Sequence, residues 1–89
     1  MRVEFDPAKD ALNQTKHGVS LAFASELDWS AALAWVDDRF EYGETRMIAL
    51  APRIETLYYV AFVESGDVYR IISLRRATRR EVKHYVETI

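Results

Sequence analysis

The stretch from residue 57 to residue 75 constrains the fold more than any other part of this sequence. Leu57 to Val63, with Tyr58, Tyr59, Val60 and Phe62, is the strongest strand signal in the chain, and Val68 to Arg75 is a second apolar run. Between them lies Ser65-Gly66-Asp67. Two β-prone runs joined through a short glycine-containing break predict a hairpin. Leu33-Ala34-Trp35-Val36 and Arg46 to Leu50 read as two further strands, separated by a polar loop from Asp37 to Glu44 and stopped by Pro52. The expected sheet is small and mostly antiparallel.

The flanking segments switch to helical signals. Val3-Glu4-Phe5 is a short alternating strand followed by Asp6-Pro7, where Asp suits a helix cap and Pro its first turn. Ala8, Ala11, Leu12 and Thr15 then form one weak apolar stripe, and Gly18 is a natural C-terminal stop. Ser20 can cap a second helix carrying Ala22, Phe23, Ala24 and Leu27, which gives an N-terminal helical hairpin ending at Asp28-Trp29-Ser30. Near the C-terminus, Thr78-Arg79-Arg80-Glu81 has the form of a capping box, with Val82, Tyr85, Val86 and Ile89 spaced for one helix face. The expected order is β-αα-ββββ-α, an α+β fold with its helices on one face of the sheet.

At 89 residues the chain has the size of one domain. It has no cysteine, which excludes disulfide scaffolds, Cys-ligated zinc and thiol nucleophiles. Neither a glycine-rich phosphate loop, a nucleophile elbow nor a closely spaced His/Asp/Glu set is present, so neither metal nor cofactor is expected. No apolar stretch reaches the ~20 residues of a membrane span and the N-terminus lacks an apolar signal core, which predicts a cytoplasmic protein with no membrane contact. The net charge of -2 conceals a division. Residues 1–69 carry 6 Lys+Arg against 12 Asp+Glu, whereas residues 70–89 carry 6 against 2. Arginine forks suit phosphate or carboxylate, so either an RNA or an acidic protein fits this basic end, as does a plain solvated helix end.

Two groups of residues could carry chemistry. Lys9, Asn13, Lys16 and His17 share one polar helix face. The helix dipole at its C-terminus stabilises imidazolium, so His17 is expected to protonate readily and to act as a general acid, or simply to complement the dipole, and in a ribonuclease it could serve as acid or base. His84 falls off the apolar stripe of the last helix and reads as surface. In the last strand, regular alternation puts Arg70 with Ile72 and Leu74 and puts Ser73 with Arg75 on the opposite face, so Arg70 and Arg75 could not serve one site. Arg70 is either a site residue or half of an ion pair with Glu44 or Glu81. Trp29, Trp35 and Phe40 are either core or a partner surface. Metal-free RNA cleavage needs a base for the 2′-hydroxyl, cations for phosphate and an acid for the leaving oxygen, roles that His17, Lys16 and the arginines could fill.

Three blocks in register extend this reading. They are Phe5-Asp6-Pro7-x-Lys9-x-x-x-Asn13-x-x-Lys16-His17-Gly18-Val19, then Gly43-Glu44-x-Arg46, then Arg70-Ile71-Ile72-Ser73-x-Arg75-Arg76-Ala77-x-x-x-Glu81-x-x-x-Tyr85. Together they resemble the BrnT family of bacterial type II toxins. The resemblance implies that residues 1–89 form one RelE-like ribonuclease domain, a toxin that arrests translation by cutting RNA. It implies a BrnA-like antitoxin with a ribbon-helix-helix domain as the partner in a hetero-oligomer, with operator DNA contacted only through that antitoxin. Mapped by motif, it points to Lys16, His17 and Arg70 as catalytic, to Arg75 and Arg76 as RNA-binding, and to Glu44, Arg46 and Ser73 as supporting residues; the basic C-terminal charge adds Arg79 and Arg80 as RNA-guiding residues. A non-catalytic binding module acting as corepressor is the alternative. The sequence departs from the family pattern at Val63, Ser65 and Leu74, and its Pro52 to Thr56 connection lacks the glycine often found there.

Overall fold

The hairpin is the centre of the sheet in the computed structural model, which describes Met1–Ile89. In chain order the strands are β1 (Arg2–Glu4), β2 (Leu33–Val36), β3 (Met47–Arg53), β4 (Thr56–Ser65) and β5 (Val68–Arg76), and the α-helices are α1 (Pro7–His17) and α2 (Arg79–Thr88). The sheet order is β1-β5-β4-β3-β2. β2, β3, β4 and β5 pair antiparallel in succession, and β1 joins β5 in parallel, so the sheet is mixed. β3 runs through Pro52 rather than stopping there. Its pairing with β2 ends at Leu50, so the missing proline N–H faces no neighbouring strand, while the Pro52 carbonyl accepts from Asp28 N at 2.8 Å.

The expected helical hairpin is only half formed. Leu21–Glu26 is a 3-10 segment capped by Ser20, and Trp29–Ala31 is a second, shorter one. The tighter winding aligns Leu21, Ala24 and Leu27, three residues apart, on one row. That row packs on Ala49, Ala51, Val60, Phe62, Ile71 and Leu74 to make the main core. A fully buried leucine such as Leu21 stabilises by about 2 kcal/mol relative to an exposed one. Trp29 belongs to this core, with its ring 5.1 Å from Phe62 and 5.0 Å from Tyr69 and its indole N–H donated to the Ala24 carbonyl at 2.8 Å.

The helices do not share one face. α2 makes its contacts on the other side of the sheet: Glu81 pairs with Arg75, His84 meets Trp35 edge-on, and the Tyr85 hydroxyl donates to the Ala31 carbonyl at 2.6 Å. Val82, Val86 and Ile89 of its expected apolar stripe stay exposed. The capping box at Thr78 and Glu81 is formed as expected. The α1 stripe is also reversed, since Ala8, Ala11, Leu12 and Thr15 face solvent and Asn13 is the buried residue. No helix is long and apolar enough to cross a membrane.

Candidate active site

Two polar side chains dock α1. β1 pairs with β5 only as far as Arg70, which leaves the outer backbone edge at Leu74 without a strand. Asn13 takes that place. Its amide donates to the Leu74 carbonyl at 2.8 Å, its oxygen accepts from Leu74 N at 3.2 Å, and the amide also reaches the Val19 carbonyl at 2.9 Å. One turn earlier, Asp10 accepts from Leu21 N at 2.7 Å and from the Ser20 hydroxyl at 2.9 Å. Gly18, with φ of 73°, ends the helix by donating to the Gln14 carbonyl. His17, one turn beyond Asn13, is thereby held beside β5, half-buried.

His17 stands between two grooves. One, of about 300 Å³, is shared with Lys9, Lys16 and Ser73; the other, of about 340 Å³, is shared with Arg76. Its environment reverses the expected titration. Burial, then the positive charges of Lys16 and Arg75, hold the imidazole below its ordinary pKa of 6.5. The side chain is therefore neutral at pH 7 and suited to accept a proton rather than to donate one.

A β-bulge arranges the arginines. Ala61 pairs with Ser73 but Phe62 pairs with Ile71, so Ile72 is an extra residue in β5. The shift returns Leu74 to the core and puts Arg70, Ser73 and Arg75 on one face, which regular alternation forbade. Arg76, opposite Tyr58, turns to the other face.

Arg70 does not join His17 and Lys16 in either groove. It donates to Glu44 at 2.6 Å, and the same carboxylate lies 3.5 Å from Arg46, which settles its partner as Glu44 and not Glu81. These arginines hold the Glu44 carboxyl below its ordinary range. Arg46 also lies 4.1 Å over the Tyr42 ring. Arg75 forms a two-pronged pair with Glu81 at 2.8 and 2.9 Å and lies 3.9 Å over the Tyr59 ring. Arg79 and Arg80 occupy the exposed first turn of α2, where the helix dipole disfavours cations. Trp35 and Phe40 lie at the surface, as does His84.

A census of ion pairs divides the cations by place. Arg2, Arg39, Arg46, Arg53, Arg70 and Arg75 each have an acidic partner. The cations without one are Lys9 and Lys16 on α1, Arg76 at the end of β5, and Arg79, Arg80 and Lys83 on α2. Unpaired positive charge is thus confined to α1, the end of β5 and the first half of α2. Sequence spacing did not single out Phe23 and Tyr58, which line the groove shared by His17 and Arg76, because strong apolar patterning assigns both to the core.

Residues 5–81 match the BrnT ribonuclease toxin family of type II toxin-antitoxin systems. The chain belongs to the BrnT family. Its fold is similar to that of the ribonuclease toxin BrnT of Brucella abortus, known from a 1.1 Å crystal structure, with a TM-score of 0.66 and 23% sequence identity. The similarity covers 89% of this chain and 99% of that one. No curated protein sequence matches significantly. As a BrnT protein the chain is an endoribonuclease toxin whose partner is a cognate antitoxin. Every residue expected at the site lies within the matched span, and α1 and the bulged strand bring Lys16, His17, Ser73 and Arg76 around one helix end. No three of the chain's His, Asp and Glu side chains gather into a metal-binding cluster.

Proposed function

We propose that this BrnT chain cleaves RNA at the end of α1 with its own side chains, His17 acting as the base. The observation that carries this reading is the position of His17 between unpaired cations, Lys16 in one groove and Arg76 in the other, in surroundings that favour its neutral form. His17 takes the proton of the 2′-hydroxyl, the 2′-oxygen bonds to phosphorus, and the bond to the 5′-oxygen breaks, leaving a 2′,3′-cyclic phosphate and a 5′-hydroxyl. Lys16 offsets the charge on the phosphoryl oxygens and gives the leaving oxygen its proton. Arg79 and Arg80 hold the RNA backbone, and Arg76 lies at the edge of the second groove. On this reading Arg70, paired with Glu44 beside Arg46, orders the loop after β2, and Arg75, paired with Glu81, positions α2 and depresses the His17 pKa.

On this reading the toxin is RelE-like, acts in the cytoplasm and arrests translation. Its antitoxin is a BrnA-like ribbon-helix-helix protein, which supplies the operator contacts of the complex. The excess of carboxylates in residues 1–69 supports a basic partner segment. So does the hollow formed by the loop from Val36 to Thr45, where Asp38 and Glu41 have no cationic partner.

The test is expression in a bacterium without antitoxin, followed by incubation of the purified chain with RNA in excess chelator. Growth arrest relieved by co-expressed antitoxin, with RNA cut equally with and without chelator, is the expected result. Intact RNA despite accumulated, folded protein that still binds its antitoxin would replace this reading with that of a non-catalytic binding module.

A further inference from the structure

We propose that the groove bordered by His17, Val19, Phe23, Tyr58 and Arg76 binds a single nucleobase of the RNA, the one adjoining the scissile phosphate. The proposal rests on the reading of His17 as the base and adds a subsite to it. The two grooves that meet at His17 differ in chemistry. One is lined by Lys9, Lys16 and Ser73, groups that suit the sugar and phosphate oxygens. The other, of about 340 Å³, has Val19, Phe23 and Tyr58 as apolar walls and Arg76 at its border. Neither is lined by a carboxylate.

The aromatic walls are built into the fold. Phe23 sits in the 3-10 segment fixed by Asp10 and Ser20, and Tyr58 in β4; their rings meet edge to face at 5.1 Å. Both rings remain half-buried, so part of each lines the groove rather than the core. Arg76 is exposed and has no acidic partner, which leaves its planar guanidinium free to lie on a base. Polynucleotides present a flat apolar base and a charged backbone on opposite sides of each ribose, and the 2′-hydroxyl lies between them. A nucleotide with its base in the aromatic groove and its phosphate beside Lys16 therefore brings its ribose to His17. Stacking of one base on an aromatic side chain strengthens binding roughly 5- to 150-fold.

The experiment titrates the purified chain with the four nucleoside 3′-monophosphates, ribose 5-phosphate and inorganic phosphate, followed by NMR of the aromatic side chains. At least one nucleotide is expected to bind about 10-fold or more tightly than ribose 5-phosphate and to shift the Phe23 and Tyr58 ring signals. Tyr58→Leu should remove that advantage and leave affinity for inorganic phosphate unchanged. Arg76→Gln, at an exposed position that does not endanger folding, should reduce it several-fold. Nucleotides that bind no better than ribose 5-phosphate, or an advantage that survives Arg76→Gln and a folded Tyr58→Leu, would overturn the proposal. RNA cleavage by the same proteins separates the two claims. His17-dependent cleavage without base selectivity sinks the base site alone, whereas Tyr58-dependent nucleotide binding with cleavage indifferent to His17→Ala sinks the proposed base alone.

Discussion

His17 is set by three influences of opposite sign. The carbonyl end of α1 favours imidazolium, whereas burial and the charges of Lys16 and Arg75 favour the neutral ring and lower its pKa. A base active in its neutral form gives a cleavage rate that rises with pH through a limb below 6.5 and then levels. Lys16→Gln removes one of the depressing charges, so the limb should move to higher pH in addition to any loss of rate; a pH profile of single-turnover cleavage checks this. The same shift weakens folding in acid: as pH falls below 6.5 the unfolded chain takes up the His17 proton first, so stability drops across that window. At the turn between β3 and β4, Ile54 has φ of 56° in a two-residue connection and is 83% exposed. A β-branched residue is strained there, at the turn position that glycine usually fills. Ile54→Gly should stabilise the protein by about 1 kcal/mol, read as a higher midpoint in denaturant unfolding.

At the scale of elements, the placement of α1 depends on one amide. Asn13 substitutes for a strand at the Leu74 edge, and Asn13→Ala leaves the Leu74 N–H and two carbonyls without their partner. A loss of about 3 kcal/mol is expected in equilibrium unfolding, together with a lower cleavage rate in molecules that remain folded, because His17 is no longer held against β5. This contact also explains what the sequence could and could not disclose. The β4–β5 hairpin, the stop at Gly18 and the capping box at Thr78 are local patterns and were legible. Asn13 and Leu74 lie 61 residues apart, and no periodicity reports that a polar residue will be the buried one. The bulge at Ile72 was equally hidden, since an apolar run reads the same with or without an extra residue. It decides which arginines share a face, and so most of the site geometry. The 3-10 winding of Leu21–Glu26 went unseen because its apolar residues fit an α-helical stripe as well.

At the scale of the whole molecule, an acidic protein holds a cationic region by pairing away its other cations. Arg70 and Arg75, expected at the RNA, are held by Glu44 and Glu81, while Lys9, Lys16, Arg76, Arg79, Arg80 and Lys83 have no acidic partner. RNA affinity should therefore fall steeply with salt, and replacing Arg79 and Arg80 together by Ala should lower the slope of log K against log salt by roughly 1.4, the value for two phosphate contacts on a single strand. An unchanged slope would place the RNA elsewhere on the surface. The central claim is that His17 is the base of a BrnT ribonuclease whose site lies where α1 meets β5. Single-turnover cleavage of RNA by His17→Ala, compared with the unaltered chain at pH 7 and at equal thermal stability, tests it most directly. The account predicts a loss of at least about 100-fold; cleavage at the unaltered rate by the folded variant would contradict it.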